Sequence, residues 1–101
     1  MRVINIARDF SVFPGGRSPK DGPHNGEEFR ERLLIPALTS GESIQIELDG
    51  TRGYGSSFLE EAFGGLVRRG YGKKQLRQRL SFVSSRAGLV QEIDSYIEKA
   101  R

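Results

Sequence analysis

The chain has no cysteine and no tryptophan, and only one methionine and one histidine among its 101 residues. Without cysteine there are no disulfides, thiolate nucleophiles or cysteine-ligated zinc or iron–sulfur centres, and a reducing, cytoplasmic setting is expected. The single His24 lies in a proline-rich stretch, and no signature pairs it with a serine nucleophile, so acid–base catalysis has little to build on. Asp49, Glu60, Glu61 and His24 are scattered, without metal-ligand spacing. Neither a cofactor, a metal nor an enzymatic activity is expected. Long apolar runs are also absent: the start, Met1 to Asp9, is too short for a signal-peptide core, and nowhere do about 18 uninterrupted apolar residues occur. No export signal and no membrane contact are expected.

What is present is an ordinary globular mixture, 36% hydrophobic and 29% charged, which implies one folded domain over residues 1–101. The formal net charge of +3 is concentrated: Arg68, Arg69, Lys73, Lys74, Arg77 and Arg79 fall close together. Such a cluster reads either as a phosphate-binding patch for nucleic acid or as a solvated helix end, where cations suit the helix dipole. The second reading is preferred, because Tyr71 is the only aromatic that interleaves with the cluster.

Arg2 to Ala7 is β-branched and apolar, which predicts a strand, and Asp9 to Phe13 is read as a possible second strand after a tight bend. Pro14 to Gly26 has loop chemistry, three prolines and four glycines. Asn25 with Glu28 three residues later predicts a capped helix start, followed by an inward face of Phe29, Leu33, Leu34, Ala37 and Leu38 with Arg30, Glu31 and Arg32 opposite. Pro36 should bend or break that helix near Ile35.

Ser43 to Leu48 alternates, with Ile44, Ile46 and Leu48 on one side, and predicts a strand with one dry face. Phe58, Leu59, Ala62, Phe63, Leu66 and Val67 then recur in pairs every four residues, the clearest amphipathic helix of the chain. Lys73 to Gln78 reads as a short helical turn and Leu80 to Val83 as a strand. A last helix, capped by Ser84 or Ser85, has inward positions Leu89, Val90, Ile93, Tyr96, Ile97 and Ala100. This alternation predicts an α/β domain with a small, mostly parallel sheet of about four strands and helices mainly on one face.

Chemistry is most expected in Asp49-Gly50-Thr51-Arg52-Gly53-Tyr54-Gly55-Ser56-Ser57, at the C-terminal end of a strand and the start of a helix. The spacing from Gly50 to Gly55 imitates a phosphate-binding loop, but Ser56 stands where the lysine belongs. Gly53-Tyr54-Gly55 opens a dinucleotide fingerprint, but Phe58 stands where its third glycine belongs. Both motifs are rejected. Ser57 with Glu60 matches a capping box, and an exposed hydroxyl there is also a phosphorylation candidate. Arg17 and Lys20 are near a helix start already occupied by Glu27 and Glu28, so that loop reads as a connection or protein contact.

The runs Ile44 to Gly50, Gly55 to Leu59 and Ala62 to Leu66, with Arg17, Asn25 to Arg30 and Leu80 to Val83, resemble the STAS-like domain family of unknown function. That family is similar, more remotely, to the STAS domains of bacterial anti-sigma-factor antagonists. In those antagonists an aspartate, two serines and a glycine open the helix after a central strand, and a histidine-kinase-like ATPase phosphorylates the second serine. The resemblance thus implies a non-enzymatic regulatory module that docks such an ATPase. Ser57 is the implied phosphate acceptor and Ser56 its neighbour. The implied docking surface comprises Asp49, Gly50, Arg52, Tyr54, Gly55, Phe58 and Glu61. Gly55 replaces the aspartate and Phe58 the glycine of that pattern. The alternative is a nucleic-acid-binding accessory domain using the cluster from Arg68 to Arg79.

Overall fold

A computed structural model describes all residues, 1–101. Strand β1 (Arg2–Asn5) runs into a single helical turn, α1 (Ile6–Asp9), and a long loop containing a 3-10 turn (Pro19–Asp21). Helix α2 occupies residues 26–39 as three joined segments, Gly26–Phe29, Arg30–Leu34 and Ile35–Thr39. Strand β2 (Ile44–Glu47) follows, then helix α3 over residues 56–68, again as three segments, Ser56–Leu59, Glu60–Gly64 and Gly65–Arg68. Helix α4 (Lys73–Arg79), strand β3 (Leu80–Val83) and helix α5 (Leu89–Lys99) complete the chain.

The sheet has three strands, all parallel, in the order β1-β2-β3, with Ile44 aligned between Arg2 and Leu80 and Ile46 between Ile4 and Phe82. The expected fourth strand is absent. Asp9 to Phe13 does not pair, because Asn5 caps a helical turn: the Asn5 side chain accepts from the Arg8 N–H, and Asp9 accepts from the Asn5 N–H, each at 2.9 Å. This ends β1 two residues before Ala7 and winds Ile6–Asp9 into a turn.

Ile4, Ile44, Ile46, Leu48 and Leu80 are buried on one sheet face, while Val3, Ser81 and Val83 on the other are exposed. The helices therefore cover one face, and α3 lies at the centre of that layer with α2 and α5 against it. Phe29, Phe58 and Phe63 fill the space between the helices as tilted and edge-on ring pairs.

Both crossover helices contain one wide π turn, which sets the phase of the faces that follow it. In α2 the Ile35 N–H reaches back five residues to the Arg30 carbonyl, and in α3 the Gly65 N–H reaches the Glu60 carbonyl. One expectation fails for this reason. Pro36 does not break α2, since α-helical geometry resumes at Ile35 and Pro36 sits in the first turn of the resumed segment, where its missing donor costs little. A separate expectation fails because of spacing: Arg30 lies three, four, seven and eight residues before Leu33, Leu34, Ala37 and Leu38, which puts it on their side of the helix, and it is only 7% exposed and turned toward α3.

Glycine makes the helix contacts possible. A Cβ on Gly26 would stand 2.6 Å from the Phe58 carbonyl oxygen and 2.9 Å from the Glu61 Cβ, so α2 approaches α3 backbone to backbone. A Cβ on Gly65 would collide with the Arg30 guanidinium. The start of α5 differs from expectation as well. Gly88, at φ 86°, precedes its first turn in place of a serine cap, and Ser85 is engaged elsewhere.

Candidate functional site

Because all three strands are parallel, their C-terminal ends meet at one edge, and the loops after β1, β2 and β3 converge there. The central loop, residues 49–55, is held from both sides. The Asp49 carboxylate accepts from the Ser85 N–H at 3.0 Å and the Ser85 hydroxyl at 3.1 Å, which ties it to the loop after β3. The Arg52 N–H donates to the Val12 carbonyl at 2.8 Å, and the Arg52 guanidinium lies over the Phe13 ring at 5.7 Å, which ties it to the loop after β1. Gly50, at φ 103°, makes the turn between these fastenings in a conformation that disfavours a side chain.

Tyr54 fixes the approach to α3. Its hydroxyl donates to the Leu48 carbonyl at 2.6 Å and its ring lies on Phe58 at 6.1 Å; burial pushes its phenol pKa up. Helical geometry sets in at Ser56, with Gly55 in the cap position in extended conformation. Ser57 is consequently the second residue of the helix and not its cap, and Glu60 does not reach back to it. The Glu60 carboxylate instead accepts from Arg68 at 2.8 and 2.9 Å and from Arg17 at 2.5 Å. The Arg68 and Arg17 hydrogen bonds hold the Glu60 pKa down at about 2. Ser56 and Ser57 are both exposed at the opening of the helix.

The remaining sequence candidates are distributed differently. Phe58 is fully buried against Tyr54, Phe10 and Phe29, so it is a core residue and supplies no docking surface. Glu61 is drawn toward α2, where its carboxylate accepts from Arg30 at 2.6 Å. The Arg30 guanidinium also donates to the Glu61 carbonyl at 2.8 Å, the acceptor that the Gly65 N–H would use in an unbroken α ladder. Glu31 accepts from Arg69 and Arg30, in that order of effect on its pKa, which falls to about 2.

The basic cluster is largely paired within the protein. Arg68 and Arg69 are bound as above, Arg77 pairs with Glu98 and Asp94, Lys73 donates to the Glu98 carbonyl, and Arg79 donates to the Glu42 carbonyl. Lys74 is exposed. His24 is half-buried, at φ 62°, with its ring edge-on to Phe10. The start of α2 is closed to an anion, because the loop carbonyls of Gly16 and Arg17 accept from the Gly26 and Glu27 N–H groups and the Asn25 side chain accepts from Glu28. No three acidic or histidine side chains converge to hold a metal ion. No helix is long and apolar enough to cross a membrane.

Nothing in the sequence marks Val12 and Phe13 as part of this edge. They stand 41% and 63% exposed beside Arg52, although their apolar character suggested a strand. Ser85 was similarly hidden, since its bond to Asp49 spans 36 positions.

The family model for a STAS-like domain of unknown function matches residues 25–86. The chain belongs to that family. The STAS-like match opens at Asn25, the cap of α2, and closes at Arg86 just beyond β3, so it takes in both crossover helices, the central loop and strands β2 and β3. It leaves β1, Arg17 and α5 outside. No curated protein and no solved structure matches the chain.

Proposed function

We propose that this STAS-like domain is a non-enzymatic regulatory module that docks a histidine-kinase-like ATPase through residues 49–55 and the first turn of α3, with Ser57 accepting a phosphoryl group. The observation that carries the reading is the pair of exposed hydroxyls, Ser56 and Ser57, opening a helix behind a loop fastened to both neighbouring loops. A fastened loop presents its surface without a large ordering cost on binding. A phosphate on Ser57 would lie at the positive end of the α3 dipole. Glu60 and Glu61 oppose it little, because Arg17, Arg68 and Arg30 already neutralise them.

In the proposed step the Ser57 hydroxyl oxygen attacks the γ-phosphorus of ATP held by the partner. The bond to ADP breaks, and the hydroxyl proton passes to a base of the partner or to water. The test mixes the protein with candidate ATPases encoded near it, with and without ATP, and reads complex formation and intact mass. The expected result is a complex and the mass gain of one phosphoryl group, located at Ser57 and lost in Ser57→Ala. Absence of a complex with every candidate, or phosphate placed elsewhere, overturns the reading.

A further inference from the structure

The outer edges of β1 and β3 are treated differently. In β1 the exposed Arg2 guards one end, and the outward Asn5 N–H is taken by the Asp9 carboxylate. Those are ordinary devices against stray strand pairing. Strand β3, Leu80-Ser81-Phe82-Val83, has no charge, proline, glycine or bulge. The Val83 carbonyl accepts from the Leu48 N–H, so Val83 and Ser81 turn their backbone groups to β2. Alternation then aims the Phe82 N–H and carbonyl outward, along the open edge.

A groove of about 550 Å³ runs beneath this edge, lined by Leu80 and Phe82 of β3, Val90, Gln91 and Asp94 of α5, and Arg86. Its floor is apolar. Its charge is positive at both ends of the strand: Arg79 is bound only to a backbone carbonyl, and Arg86 has no carboxylate partner. Asp94, the acid within the groove, faces Arg77 at 3.5 Å.

We propose that the free edge of β3 and the groove beside it receive an extended segment of a partner protein, apolar opposite Phe82 and acidic on both sides. The segment adds a fourth strand by backbone hydrogen bonds, with alternate side chains entering the groove. A second copy of this chain fits the edge poorly. Antiparallel pairing of two β3 strands brings the Arg79 end of one copy onto the Arg86 end of the other, and like charges repel. This site is separate from Ser57 and does not rest on the reading given above.

The probe is a capped synthetic peptide, Glu-Thr-Val-Leu-Val-Thr-Glu, titrated into nitrogen-15-labelled full chain at low and high salt. Saturable shifts are expected at Leu80, Phe82 and Val90, with slowed exchange of the Phe82 amide. Replacing both glutamates of the probe by lysine should weaken binding about tenfold, and Arg79→Glu/Arg86→Glu should reverse that preference. A scan of N-methyl groups along the probe should abolish binding at every second position only, the signature of strand pairing, with the protein itself unaltered. Absence of Phe82 shifts, an N-methyl scan without period two, or shifts confined to residues 49–57 each overturns the proposal. A concentration-dependent dimer of the free chain, protecting the Phe82 amide, overturns it in favour of a second copy.

Discussion

Gly65→Ala should change from destabilising to stabilising when Arg30 is removed. In the native chain a Cβ on Gly65 takes the place of the Arg30 Nη1 and stands 3.1 Å from its Cζ. Arg30 cannot yield freely, because the Glu61 carbonyl, the Glu61 carboxylate and Glu31 hold it. Replacing a helical glycine by alanine gains about 1 kcal/mol of intrinsic propensity, while each hydrogen bond to a charged group contributes about 1.5–3 kcal/mol. Losing one such bond and distorting another gives a net loss of about 2 kcal/mol. Arg30→Ala alone costs about 3–5 kcal/mol, since it strips a buried ion pair of one partner. In that background every other atom stands at least 3.2 Å from the new Cβ, so Gly65→Ala keeps mainly its propensity gain of up to about 1 kcal/mol. The coupling between the two positions is then about 3 kcal/mol, at the upper end for residues in contact. Urea unfolding of the four proteins, followed by far-ultraviolet circular dichroism, measures it. Additivity within about 0.5 kcal/mol would refute the steric and hydrogen-bonding account of this helix crossing.

Other expectations can be checked on the same instrument. Ser57→Ala should change stability by less than about 0.5 kcal/mol, as an exposed second helical residue and not a cap, whereas Ser57→Asp should stabilise by about 0.3–1 kcal/mol through the dipole; a loss of about 1 kcal/mol for Ser57→Ala would restore the capping role. Glu60 is held below its ordinary pKa, at about 2, by Arg68 and Arg17, so its stabilisation is present above about pH 4.5 and is lost as pH falls toward 2. Acid titration of the unfolding midpoint should therefore decline less steeply over that window in Glu60→Gln than in the native protein. Gly26→Ala should lower stability by about 1–3 kcal/mol, because the new methyl meets backbone atoms of α3, while Gly15→Ala, with no atom near its Cβ, should be close to neutral; equal thermal midpoints would contradict the close approach of the two helices.

The strands β2 and β3 and the inward faces of α3 and α5 were legible because each buries a face whose period is local: two for Ile44, Ile46 and Leu48, near four for Phe58, Ala62 and Leu66. The Asn25 cap was legible for the same reason, since its acceptor and the Glu28 donor lie within one turn. What escaped depends on partners distant in the chain or on a departure from regular periodicity. Ile4 and Ile6 continue the alternation of a strand, but the hydrogen bonds of Asn5 with Arg8 and Asp9 override it. Arg30 stands four residues before Leu34 and seven before Ala37, on the apolar side, and its charge hid that position because its partner Glu61 is distant in the chain. Phe58 seemed free to form a surface only until the Phe10 and Tyr54 rings closed over it. In the candidate site the glycines and serines were visible, whereas the fastenings of Asp49 to Ser85 and of Arg52 to Val12 join loops that meet only after the sheet has formed.

The twin π turns give the chain an unusual tolerance to length variation. Deleting one residue from an ordinary helix rotates everything beyond it by about 100° and turns the buried face to water. Here each crossover helix holds one residue more than an α ladder needs, so loss of a single residue from 30–34 or from 60–64 can be absorbed by tightening the wide turn to an ordinary one. The flanking faces, with Phe29 and Ala37 in one helix and Phe58 and Leu66 in the other, keep their bearing on the sheet. What a deletion from 60–64 removes is the bulge that frees the Glu61 carbonyl for Arg30, and with it a hydrogen bond of the junction between the two helices.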